Sequence, residues 1–117
     1  MKNRTFLDSI KCAFNGLFYA IKTEKNFKYY FIIAFIFLLI NIILKINIYG
    51  FLAYFITVSG VFSSECINTS IEHFINMIDN NIKVEIKLIK DIAAANVLCW
   101  GFGFFICEFL MIGCVLF

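Results

Sequence analysis

The chain has 117 residues, 62% of them hydrophobic and 15% charged, with no proline and a net charge of +2. A water-soluble domain is nearer about 45–50% apolar, so this balance excludes one and predicts an all-α integral membrane protein with room for about three spanning helices. The small net charge excludes the electrostatic footprint of a nucleic-acid-binding protein.

Residues 3–22 read as an amphipathic helix. Phe6, Ile10, Phe14, Leu17 and Ile21 recur at helical steps, while Arg4, Asp8, Lys11, Asn15 and Lys22 take the other side. That pattern suits a helix lying in the membrane interface, as an anchor or as one wall of a site. A cleaved signal peptide is not expected, because the long apolar run starts only at Tyr29. Residues 22–28, KTEKNFK, are expected as a charged turn. Residues 29–44 form the first expected span. Residues 45–50 are a turn, with Asn47 and Gly50 as the breaking residues.

The second expected span runs from about residue 49 to 78, ~45 Å of helix against a ~30 Å hydrocarbon core. Residues 79–90, DNNIKVEIKLIK, are polar and are expected as a turn leading into a short surface helix. The third span covers residues 93–117 and opens on Ala93, Ala94 and Ala95, which allow close helix approach. The whole chain, 1–117, reads as a single domain. Its five cysteines have no CxxC spacing and accompany a single histidine, so neither a zinc site nor a disulfide framework is supported.

The segment ECINTSIEHFIN, residues 65–76, places Glu65, Asn68 and Glu72 three, four and seven residues apart. All three therefore face one way on a helix. Ionisable groups at membrane depth cost ~2.5–3.5 kcal/mol even on the lenient insertion scale. Paired carboxylates with an amide suit a divalent cation, a proton transfer, or both. Nine of the ten Lys and Arg residues fall before the first span or in the loop after the second. The positive-inside rule then puts the N-terminus in the cytoplasm. Glu24, Glu65, Glu72, Lys90 and Asp91 all come to the cytoplasmic interface.

Carboxylates, an amide and a lysine at that surface meet both cytoplasmic MgATP and lipid headgroups. Phosphoryl transfer to a lipid hydroxyl would need a base, a metal and a cation for the phosphates. Spacing alone leaves ion transport and an assembly role open. A proton-coupled transporter would use Glu65 or Glu108. No GxxxxGK[ST] loop and no HRD or DFG element is present, which excludes a soluble-type kinase.

Three blocks carry a resemblance. Residues 65–72, ECINTSIE, are similar to the pattern E-x-x-N-[TS]-[AS]-I-E. Residues 90–98, KDIAAANVL, are similar to K-D-x-[AG]-[AS]-[AG]-A-V-L. Residues 24–28, EKNFK, match E-[RK]-N-[FM]-[RK]. Together they resemble the small prokaryotic diacylglycerol kinase family, which includes the undecaprenol kinases. The resemblance implies a homotrimer of three-span subunits with an N-terminal surface helix. It implies transfer of the γ-phosphate of ATP to a lipid hydroxyl with Mg²⁺. By the same resemblance Glu65 is the base and Asn68 orients it or a phosphate. Glu24 and Glu72 hold the metal on the ATP phosphates, Lys90 contacts the phosphates, and Asp91 supports the nucleotide site.

Some positions depart from the pattern. Asn76 replaces a usual Asp, Asn96 a usual Ala, and Tyr30 stands where many members have Glu or His. Loss of the Asn76 charge raises the alternative of a catalytically impaired relative acting in membrane assembly. Glu108, inside the third span, reads as a neutral or subunit-interface carboxyl. The EKNFK and KDIAAA forms favour undecaprenol over diacylglycerol as the lipid.

Overall fold

A computed structural model describes residues 5–78 and 83–117. The expected helix start at residues 3 and 4 and the turn at residues 79–82 lie outside the described residues. Four helices follow one another: α1 (Phe6–Thr23), α2 (Lys25–Ile43), α3 (Ile48–Asn76) and α4 (Lys83–Leu116). No strand occurs among the described residues. The last three helices are each long and apolar enough to cross a membrane.

Local chemistry explains the helix ends. Thr5 and Asp8 form a capping box at the start of α1: the Asp8 N–H donates to Thr5 Oγ1 at 3.1 Å and the Thr5 N–H donates to Asp8 Oδ2 at 3.2 Å. The expected turn at residues 22–28 shrinks to one residue. Glu24, with extended backbone, ends α1 and caps α2. Lys25 onward contains good helix formers and no breaker, so α2 begins four residues before the apolar run.

A Schellman turn closes α2. The Ile46 N–H donates to the Asn41 carbonyl and the Lys45 N–H to the Ile42 carbonyl, both at 3.1 Å. Lys45 sits between them in the left-handed region at φ 53°. Asn47 then caps α3, its Oδ1 accepting from the Gly50 N–H at 3.0 Å.

The second half of the expected 79–90 connection is different. From Lys83 the chain is already α4, one continuous helix of 34 residues. Lys87, Lys90 and Asp91 therefore stand on the same helix as the third span, and among the described residues no separate surface helix precedes it. The physical reason is the absence of Pro or Gly between Lys83 and Trp100. The pattern of Val84, Ile86, Leu88 and Ile89 obscured the helical period.

α3 and α4 form the main packed pair, with α2 against α3 and α1 against both α2 and α3. Gly60 makes room for the Trp100 ring of α4 against α3: a Cβ there would overlap that ring. Of the three alanines that open the expected third span, only Ala93 is buried. Tyr54 Oη donates to the Ala34 carbonyl at 2.6 Å, tying α3 to α2. The buried apolar core is small and includes Phe27, Tyr54, Val61, Val97 and Phe104. Most large apolar side chains of α2, α3 and α4 face outward, as expected where lipid rather than water is the solvent.

One buried polar pair among the described residues lies near the end of α2. Asn41 and Glu108 are each 1% exposed, and Asn41 Nδ2 donates to Glu108 Oε1 at 3.3 Å. Asn41 Oδ1 and Glu108 Oε2 have no partner. Asn41→Leu strands the Glu108 carboxyl and is expected to lower stability by about 1–3 kcal/mol. Glu108→Gln should cost less, because its amide can donate to Asn41 Oδ1. Thermal unfolding of both variants in detergent checks that order.

Candidate active site

Glu65 and Asn68 lie one turn apart on the inward face of α3, 1% and 6% exposed. α2 enters the bundle beside them, so that Tyr30 Oη donates to Glu65 Oε2 at 3.2 Å. Two oxygens are left over: Glu65 Oε1 and Asn68 Oδ1 are buried and unpartnered. Buried polar atoms are normally satisfied, and such a pair of free acceptors asks for a donor from outside the chain.

Both residues line a cavity of about 300 Å³ between α2, α3 and α4. Its polar end consists of Asn26, Tyr30, Glu65 and Asn68. The rest is apolar, from Ile33 and Ala34 on α2 through Val61 and Phe62 on α3 to Val97 and Phe104 on α4. A long apolar slot with acceptors at one end matches an amphiphile carrying a hydroxyl.

The other sequence-derived residues take different places. Glu24 and Glu72 are half-buried and do not line the cavity. Both are within electrostatic reach of Glu65. Among the described residues no group of three or more His, Cys, Asp or Glu side chains is close enough to enclose a metal ion. Glu24 and Glu72 offer only hard oxygen donors. This fits Mg²⁺, which usually takes one or two carboxylates and completes its shell with water and substrate phosphates.

Lys90 and Asp91 do not join this cluster through any hydrogen bond or ion pair among the described residues. Asp91 is 59% exposed and pairs with Lys87 at 2.7 Å along α4. Lys90 precedes Ala94, a lining residue, by one turn and so shares its face. Sequence reasoning missed Asn26 and Tyr30 as members of the site. The available signal was their four-residue spacing inside EKNFKYY, which puts them on one face of a helix.

These features define a small helical membrane protein with a buried carboxylate at the head of an apolar slot. Residues 11–112 match the prokaryotic diacylglycerol kinase family, and the chain belongs to it. The undecaprenol kinase of Bacillus subtilis (strain 168) is 29% identical over 111 residues, covering 95% of this chain and 83% of that protein. Membership and this relative both point to a lipid kinase. No solved structure matches the chain.

Holding a carboxylate at Glu65 works against the fold, since burial removes its water. Glu65→Gln keeps an acceptor for Tyr30 without the charge. It is expected to raise the unfolding temperature in detergent, as residues kept for function often do when neutralised. An unchanged or lower temperature would contradict that cost.

Proposed function

We infer that the protein transfers the γ-phosphate of MgATP to the hydroxyl of a membrane lipid, with undecaprenol favoured over diacylglycerol. The observation that carries this reading is the free Glu65 Oε1 at the head of the apolar cavity. A lipid alcohol would lay its chain among the apolar lining residues and bring its hydroxyl to the acceptors. The name of the Bacillus relative supports the choice of lipid.

In this reading Glu65 Oε1 takes the hydroxyl proton as general base. The lipid oxygen forms a bond to the γ-phosphorus while the bond to the β–γ bridging oxygen breaks. ADP leaves, and Glu65 returns its proton to water. Asn68 orients the base or a phosphate oxygen. Glu24 and Glu72 would hold Mg²⁺ on the ATP phosphates, where the ion neutralises charge on the transferring group. Lys90 contacts the phosphates, and Asp91 supports the nucleotide site.

The chain is a single domain, 1–117, in the cytoplasmic membrane with its N-terminus in the cytoplasm, and it works as a homotrimer. α1 lies in the interface, presenting Phe6, Ile10, Phe14 and Phe18, all exposed on the isolated chain, to lipid. Lys90 and Asp91 make no hydrogen bond or ion pair with Glu65 among the described residues, which is compatible with a site that assembles between subunits.

The test is transfer of labelled γ-phosphate from MgATP to lipid alcohols in mixed micelles. Wild-type protein should phosphorylate undecaprenol in preference to diacylglycerol. Glu65→Gln should lose about 10²–10⁴-fold in rate while still binding MgATP. Glu24→Ala and Glu72→Ala should raise the Mg²⁺ concentration needed for half-maximal rate. Absence of transfer to either lipid sinks the kinase reading. Failure to bind MgATP in an otherwise folded trimer points to the impaired relative, and ion-driven uptake by liposomes without ATP points to the transporter.

A further inference from the structure

Tyr30 is the described side chain that hydrogen-bonds Glu65 from another helix. Its place is fixed from behind. The ring packs edge-on against Phe27 at 6.2 Å and 73°, and Phe27 is fully buried. Phe27 in turn meets Phe62 edge-on at 5.7 Å. Phe62 sits three residues before Glu65, on the same helix. An aromatic stack thus joins the phenol to the helix it serves.

The carboxyl group of a glutamate turns on a soft, roughly two-fold torsion. Left alone, its two oxygens would share the cavity and the helix wall by turns. The phenol ends that exchange at one oxygen: Oε2 accepts from Tyr30, and Oε1 has no partner.

We propose that Tyr30 is a positioning residue for phosphoryl transfer, occupying Oε2 of Glu65 so that Oε1 is held toward the cavity as the acceptor of the lipid hydroxyl proton. This rests on the reading of Glu65 as the base. Tyr30 gives up no proton in the step. The lipid O–H bond breaks, the proton goes to Oε1, and the phenol hydrogen bond persists throughout.

The test is kinetic and uses full-length protein in lipid. Tyr30→Phe keeps the ring against Phe27 and deletes only the hydroxyl. It should lower kcat by about ten- to a hundredfold, the penalty for a misdirected reacting group. KM for MgATP should stay within about twofold, so that the loss lies in kcat, and the unfolding temperature should fall only by what one lost hydrogen bond to a buried carboxyl costs, a split that a purely structural role would not give. Tyr30→His restores a donor and should recover part of kcat. In a Glu65→Gln background, Tyr30→Phe should cost nothing further.

Wild-type kcat in Tyr30→Phe beside an inactive Glu65→Gln overturns the proposal and leaves the base assignment standing. An active Glu65→Gln overturns the base assignment and this proposal with it. Loss of kcat in Tyr30→Phe together with a raised KM for MgATP, without rescue by Tyr30→His, makes the residue structural and also overturns it.

Discussion

A carboxylate held out of water, with one oxygen tied and the other free, is the constraint on which the rest depends. Glu65 is 1% exposed on a helix apolar enough to cross a membrane. Such a group is stable only if its surroundings supply hydrogen bonds. Tyr30 supplies one. The second oxygen has none, and the apolar walls of the cavity cannot provide it. α2 must therefore enter the bundle at a point that brings its second turn to Glu65. The one-residue hinge at Glu24 and the aromatic contacts of Phe27 set that entry.

Two buried polar clusters divide the bundle between them. Near the start of α2, Glu65 and Asn68 face a cavity and keep free acceptors. Eleven residues, ~16 Å, farther along α2, Asn41 meets Glu108 in close packing. The difference is access. Glu65 lines a space large enough for a chain of methylenes, whereas the Asn41–Glu108 pair joins α2 directly to α4. A polar pair between membrane helices specifies which helices meet and at what height. The Asn41–Glu108 pair thus fixes the frame within which the Glu65 site opens.

Much of this was legible before any coordinates. The three-, four- and seven-residue offsets of Glu65, Asn68 and Glu72 placed them on one face, and Glu65 and Asn68 do share a cavity. Composition alone gave three apolar helices, and α2, α3 and α4 are those helices. Other features were not legible because they depend on contacts between helices. Tyr30 was visible only as a departure from a family pattern. Its hydrogen bond needs the approach of α2 to α3. The continuity of α4 was hidden by the alternation of Val84, Ile86 and Leu88 with charged residues, which mimics a strand period. Asp91 is drawn to Lys87 by ordinary i, i+4 pairing, a local preference that a motif does not reveal.

The central claim is that the apolar cavity beside Glu65 receives the lipid alcohol. Photocrosslinking with a prenyl alcohol carrying a photoreactive group in its chain measures this directly, without ATP and without turnover. The account predicts labelling at Phe62, Val97 and Leu98, all on the cavity wall, and loss of that labelling when unlabelled undecaprenol is added. Labelling confined to outward-facing residues such as Ile36 and Phe102, unaffected by competitor, would contradict it.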